Sequence, residues 1–264
     1  MIANDIVRSD FIKIDKEDTV SRLIGKFRLS KRTEAVVLDG KKYVGIVSKR
    51  KMIKSRIRAD EAKIKHLTWK VSVLNGSEDI KKVAMLMRNS DVHMLPVVKK
   101  GLLKGVVYAI DVVKQLDPET KEKRVSDVVR GRVIAFDENT EVGKVMNVMH
   151  LRKIDRAPIV NKRNKLIGVV SISDLLTKYS VFPMKRPGGD NMREAKSSPG
   201  KERDLVCLPI INETNPSVVT AASEDRIKAI ISLMEENRIS DVVIVDEYKE
   251  PAAIITLKNL LGLF

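Results

Sequence analysis

Four stretches of the chain repeat one pattern: "VGIVSKRKMIKSRIR" (44–58), "KGVVYAIDVVKQL" (104–116), "IGVVSISDLLTKY" (167–179) and "AAIITLKNLLGLF" (252–264). Each reads as a small residue, an apolar pair, a hydroxyl or polar residue and then a helix. A second short apolar run precedes each one, "TEAVVL", "HMLPVV", "DRAPIV" and "SDVVIV", and a polar turn such as "DGKK" or "NKRNK" joins the two runs as in a hairpin. Before that pair comes a helical segment, at residues 19–29, 77–89, 140–151 and 223–237. In "SEDIKKVAMLMRN" the apolar residues Ile80, Val83, Ala84 and Met87 recur at helical spacing, with Ser77 placed to cap the helix. Each unit therefore reads strand, helix, strand, strand, helix, and the fourfold recurrence sets the architecture.

A unit ending in "PVV…GVV", a hydroxyl residue and an acid three positions on resembles the cystathionine-beta-synthase (CBS) domain. The resemblance covers nearly the whole chain, with four registers in the same order and spacing. It implies an α/β (α+β) fold of four strand-helix-strand-strand-helix units, paired into two Bateman modules whose clefts commonly take adenosine ligands. The count of four is similar to that in the gamma subunit of AMP-activated protein kinase. By that likeness, residues 1–60 and 61–120 are repeats 1 and 2 of one module. Residues 121–180 and 207–264 are repeats 3 and 4 of the other, separated by a basic linker at 181–206. CBS units are usually regulatory attachments, and the repeats fill this chain, so it is expected to act as a stand-alone module and not as an enzyme.

The site such a module would use can be argued from chemistry. A strand ending in Ser and turning into a helix presents free N–H groups and a positive dipole end, which suit phosphate. A carboxylate three residues on can accept both hydroxyls of a ribose. Repeat 3 has the full set in Ser171, Asp174 and Arg156, the last offering a further phosphate contact. The same Ser171 and Asp174 also fit a capping box that only closes the first turn of the helix. Repeat 2 keeps Asp111 but has Tyr108 at the hydroxyl position and Met94 at the arginine position. Repeat 4 has Thr256, Asn259 and Asp241 there, and repeat 1 has Ser48, Lys51 and Glu34. At most two of the four copies keep the ribose carboxylate. The expected ligand is an adenosine nucleotide (AMP, ADP or ATP) at Ser171, Asp174, Arg156 and Asp111, with no cofactor required.

Charge points to a second partner. The chain carries a net +15, distributed as +10 over residues 1–70, +1 over 71–120, +8 over 121–200 and −4 over 201–264. Lys49, Arg50, Lys51, Lys54, Arg56 and Arg58 follow one another with no acid among them. Their mutual repulsion is relieved by an anionic polymer. The linker adds Lys185 and Arg186 in an irregular Pro/Gly/Ser-containing stretch. Helix-turn-helix, zinc-finger and heptad signatures of duplex DNA readout are missing, and aromatic residues make up only 4 % of the chain, too few for a base-stacking platform. Structured RNA, with the ribosome as its most abundant form, is the expected partner.

Other functions find little support. His66, His93 and His150 lie in different repeats without metal-ligand spacing, and Cys207 is the single cysteine. The opening "MIANDIVRSDF" lacks an apolar signal core, and no apolar run approaches the roughly 20 residues of a membrane span. A cytoplasmic location without membrane contact is expected, and 32 % charged residues with one glutamine lean towards a heat-adapted protein. Two functions remain open: a basic adaptor docking on RNA with nucleotide as modulator, and an adenine-nucleotide energy sensor that regulates a partner protein.

Overall fold

The computed structural model describes residues 1–30, 32–49, 52, 62–129, 131, 133–152, 154–171, 174–175 and 207–264. Repeat 1 contributes β1 (Lys13–Asp15), α1 (Val20–Leu29), β2 (Glu34–Asp39) and β3 (Lys42–Ser48). The hydroxyl of Thr19 accepts the Arg22 N–H at 3.3 Å and so caps the start of α1. Repeat 2 supplies α2 (Ile80–Ser90), β4 (Met94–Lys99), β5 (Leu102–Tyr108) and α3 (Ala109–Val113), followed by α4 (Pro118–Glu122) and α5 (Val125–Val128). Its first strand shrinks to a single parallel bridge between Leu74 and Val97. The expected face of α2, Ile80, Val83, Ala84 and Met87, is buried. Its cap is Asp79 and not Ser77: Asp79 accepts the Lys82 N–H at 3.1 Å, while the Ser77 N–H donates to Asn75 Oδ1 at 2.8 Å in the preceding turn. Repeat 3 gives β6 (Phe136–Asp137), α6 (Val142–Arg152), β7 (Arg156–Val160) and β8 (Leu166–Ser171). Repeat 4 gives β9 (Thr220–Ala222), α7 (Ile227–Asn237), β10 (Asp241–Val245), β11 (Pro251–Thr256) and α8 (Leu257–Leu260).

In each of the first three repeats the hairpin carries a register shift at the same place, after Val37, Val97 and Ile159. Repeats 1 and 2 share one sheet ordered β1-β2-β3-β5-β4, and repeats 3 and 4 form sheets ordered β6-β7-β8 and β11-β10-β9.

A short leader runs ahead of each repeat and docks on another one. The Ala3 N–H donates to Glu78 O at 2.8 Å, and the Ile64 N–H donates to Asp18 O at 2.9 Å. Repeats 1 and 2 thus exchange leaders. The Val125 N–H donates to Asp225 O at 2.9 Å and the Ile210 N–H to Thr140 O at 2.8 Å, which is the same exchange between repeats 3 and 4. The residue that begins each leader's turn, Ala3, Ile64, Val125 or Ile210, is buried.

Three leaders then cross the partner's strand as isolated bridges, Arg8 to Val106, Trp69 to Ile46 and Asn215 to Val169. These crossings explain the small residue of the repeat. A Cβ on Gly45 would lie 2.4 Å from Trp69 O, one on Gly105 2.7 Å from Arg8 O, and one on Gly168 2.8 Å from Asn215 O. Repeat 4 has Ala253 at this position, and among the described residues no leader bridges its strand.

The chain divides into two compact units. One comprises Met1–Arg130, Ser223–Val242 and Ile255–Phe264; the other comprises Gly131–Ala222 and Val243–Ile254. Within the first, Ile14, Val20, Leu23, Phe27, Ala35, Val37, Val47, Ile64 and Leu67 form one buried cluster. The helix α7 buries Ile227, Ile230, Ile231 and Met234 and packs on α3 and α4, and α8 packs on α3. In the second unit Val142, Val145, Met149, Ile159 and Ile210 are buried without measurable exposure.

Three changes test this packing. Gly45→Ala forces a side chain onto the Trp69 carbonyl and should cost about 1–3 kcal/mol in urea denaturation. Gly25→Ala, in the interior of α1 with open space around its Cβ position, should instead stabilise by about 0.5–1 kcal/mol. A protein ending at Lys121 lacks α7 and α8 and uncovers α3; it should lose at least about 2 kcal/mol of stability relative to the full chain in the same assay.

Candidate functional site

The hairpin register of repeat 3 places Arg156 directly opposite Ser171. Opposed residues of an antiparallel pair share a face, with Cβ atoms about 4.5–5.5 Å apart. Ser171 Oγ accepts the Asp174 N–H at 3.2 Å, so the serine caps the turn that follows. A hydroxyl that accepts through one lone pair still has its proton to donate. Capping and ligand binding are therefore compatible at Ser171. Asp174 is exposed, and among the described residues its carboxylate forms no ion pair. The three residues singled out in the sequence lie together at one end of β7 and β8.

The same register recurs in unit 1, with different chemistry. Met94 stands opposite Tyr108 in repeat 2, and the leader crossing β5 brings Arg8 to Asp111. Arg8 Nε donates to Asp111 Oδ2 at 2.7 Å and an Nη donates to Oδ1, a two-pronged pair in which the carboxylate is buried and the guanidinium about one-third exposed. The hydrogen bond to Asp111 lifts the Arg8 pKa above its ordinary value. Tyr108 Oη donates to the Asp10 carbonyl at 3.1 Å, and Arg32 stacks 4.0 Å from the Tyr108 ring centroid while pairing with Asp10 at 2.8 Å. Burial pushes the Tyr108 hydroxyl up to about 12. In repeat 2 the carboxylate read as a ribose acceptor is thus already bound by the chain's own arginine.

Repeats 1 and 4 also have internal contacts at the matching positions. Glu34 stands opposite Ser48, both buried, and Glu34 Oε1 accepts the His93 N–H at 3.1 Å. The Lys49 ammonium sits 5.6 Å from the Phe27 ring centroid, and the Lys49 N–H donates to Thr33 O at 2.9 Å. In repeat 4, Thr256 Oγ accepts the Asn259 N–H at 3.2 Å while Asn259 Oδ1 accepts the Thr256 N–H at 2.9 Å, a reciprocal cap. Ser240 Oγ donates to Asp241 Oδ2 at 3.0 Å. The remaining basic candidates, Arg50, Lys51, Lys54, Arg56, Arg58, Lys185 and Arg186, lie outside the described residues.

Arg8 is the residue the sequence reading passed over, being 103 positions from Asp111. The signal lay in the leaders, where Arg8, Trp69 and Asn215 occupy equivalent bridging positions. At repeat 3 that position is Asn215, whose Oδ1 accepts the Ser217 N–H at 2.9 Å in a local turn. Among the described residues no three His, Cys, Asp or Glu side chains cluster as metal ligands would, and no helix is long and apolar enough to cross a membrane.

Comparison with known proteins gives the same organisation. The CBS domain family model matches residues 3–58, 64–117, 125–181 and 204–264. The fold is similar to that of protein MJ1225 from Methanocaldococcus jannaschii, described as a candidate archaeal homologue of g-AMPK, with a TM-score of 0.79, 19 % identity and 99 % of each chain covered. By sequence, the chain is similar to a 33.4 kDa protein in a ribosomal RNA operon of Thermofilum pendens, 22 % identical over 237 residues, covering 89 % of this chain and 75 % of that one. It is also 25 % identical over 198 residues to inosine-5'-monophosphate dehydrogenase of M. jannaschii, covering 70 % of this chain but only 38 % of the enzyme. With four successive matches over most of its residues, the chain belongs to the CBS-domain family.

Proposed function

We propose that this CBS protein is a non-enzymatic regulatory adaptor with one working adenine-nucleotide site, at repeat 3, and that its basic segments dock it on structured RNA, most abundantly the ribosome. The observation that carries the ligand assignment is the contrast among the four copies. Asp111 is tied to Arg8, Thr256 and Asn259 cap each other, and Glu34 receives a backbone N–H, whereas Asp174 is exposed on the hairpin end that holds Ser171 and Arg156. Membership of the family implies an adenosine ligand. The Ser171 hydroxyl and Arg156 guanidinium would meet phosphate, and Asp174 the ribose hydroxyls.

Docking on RNA is supported by the run of Lys49, Arg50, Lys51, Lys54, Arg56 and Arg58 and by Lys185 and Arg186 in the linker. The name of the T. pendens relative, which places it in a ribosomal RNA operon, favours the same direction. An energy sensor that signals to a partner protein is the second reading, and the likeness in fold to MJ1225, described as a candidate homologue of g-AMPK, favours it. On either reading the chain performs no catalysis.

Calorimetry with AMP, ADP and ATP should find one dominant site per chain. Asp174→Ala should abolish it by leaving the ribose hydroxyls without an acceptor, and equal heats from wild type and variant would sink the assignment. Arg8→Ala should leave that binding intact while destabilising the fold by about 1–3 kcal/mol, because it strands the Asp111 carboxylate; the partial exposure of Arg8 keeps the cost below that of a fully buried pair.

Binding to ribosomes should weaken steeply with salt. Replacing Arg50, Lys51 and Lys54 together by Ala should flatten the log-log salt slope by up to about 2–3 units, with the melting temperature nearly unmoved. Co-sedimentation over a salt series reads this directly, and an unchanged profile would count against docking through this segment.

A further inference from the structure

The hairpin tips of unit 1 meet side by side. Lys42 of β3 is the register partner of Leu102 of β5, and the Tyr43 N–H donates to Gly101 O at 3.3 Å. Combined with the pairs Asp39 with Lys42 and Lys99 with Leu102, this sets Asp39, Lys42, Leu102 and Lys99 in one row across four strands. Lys41 and Lys100 stand beside the row, and Lys104 lies two residues beyond Leu102. All five lysines, 41, 42, 99, 100 and 104, are exposed, and none forms an ion pair among the described residues. The one acid of the row, Asp39, is held by Lys16 at 2.7 Å.

Unit 2 contains the equivalent junction and provides an internal comparison. There the Leu166 N–H donates to Lys249 O at 2.9 Å, joining the tip of repeat 3 to that of repeat 4. Lys165 pairs with Glu250 at 3.3 Å, and Asn164 Nδ2 donates to the same carboxylate at 2.9 Å. Asp246 and Glu247 add further negative charge to that tip. The fold therefore does not require unrelieved lysines where two tips meet. In unit 1, neighbouring strands about 4.8 Å apart put Lys42 and Lys99, two strands apart in the row, about one Debye length (~8–10 Å) from each other across Leu102.

The chemistry of the patch selects the partner. Lysine meets an anion as a compact point charge, and several such charges in a row match the closely repeated phosphates of a nucleic-acid backbone. The row offers a single exposed apolar side chain, Leu102, too little to insert into a bilayer. It also has no exposed aromatic ring on which a base could stack. A run of phosphates on folded RNA fits these features.

We propose that the joined hairpin tips of repeats 1 and 2 form a second RNA-phosphate docking surface, built from Lys41, Lys42, Lys99, Lys100 and Lys104. The inference rests on the RNA reading above and adds to it a contact outside residues 49–58.

The test compares four full-length proteins on a fully paired RNA hairpin over a salt series. They are wild type, the variant with all five lysines changed to Gln, the Arg50, Lys51 and Lys54 triple alanine variant, and a control with Lys162→Gln and Arg163→Gln. The tip variant should lose at least about tenfold in affinity near physiological salt and flatten the log-log slope by up to about 4 units, while the control stays within about twofold. Should the fivefold change lower the melting temperature, Lys42→Gln with Lys99→Gln alone is read on the same scale, with a slope loss of up to about 1.5 units. RNA binding that the triple variant weakens and the tip variant leaves unchanged overturns this inference alone. Absence of RNA binding by wild type overturns the RNA reading and this surface together. Loss confined to vesicles of equal phosphatidylserine and phosphatidylcholine reassigns the patch to a membrane and also overturns the proposal.

Discussion

The exchange of leaders between paired repeats is the constraint on which the rest of this structure depends. Each repeat begins with a short segment whose backbone N–H groups find their acceptors on the partner repeat, at Glu78, Asp18, Asp225 and Thr140. Buried backbone donors must be paired somewhere, so a repeat separated from its partner would leave these groups without acceptors. The exchange also brings one backbone close against another. A leader can cross β3, β5 or β8 only because Gly45, Gly105 and Gly168 have no side chain in the way. The glycine of the repeat is a contact requirement of the pair and not a turn signal of the single unit.

That crossing also decides what the carboxylate of repeat 2 meets. The leader residue that bridges the partner's strand lies next to the partner's candidate site. It is arginine facing repeat 2 and asparagine facing repeat 3. A guanidinium delivered onto a buried carboxylate satisfies both charges and removes the acceptor a ribose would use. An asparagine bound to its own loop does neither. A difference at one leader position therefore goes with a carboxylate paired within the chain, Asp111, and one that is exposed, Asp174. The same economy of pairing runs through the hairpin tips, where unit 2 sets glutamate against lysine and unit 1 does not.

Much of the fold was legible in the chain. Apolar residues at helical spacing placed the buried face of α2, and the hairpin runs placed β2 to β5, β7, β8, β10 and β11. These features are local, since periodicity records which side of an element meets the core. Caps were less legible: Ser77 and Asp79 are both good capping residues, and only the course of the turn through Asn75 and Gly76 selects the aspartate. The cluster of Ser171 and Arg156 was readable because a fixed hairpin register sets them opposite each other once the two strands are recognised.

The sequence by itself determined the number of repeats, their order of elements, the surplus of positive charge and the grouping of Ser171, Asp174 and Arg156 in repeat 3. Each of these depends on neighbours within one repeat or on composition. Tertiary structure alone decided that Arg8 pairs with Asp111, that glycines face a crossing backbone, and that the lysines of two separate turns stand in one row. All three arise from contacts between repeats. A chain's local pattern says which atoms seek partners, whereas the packing of one repeat against another says which partners they reach.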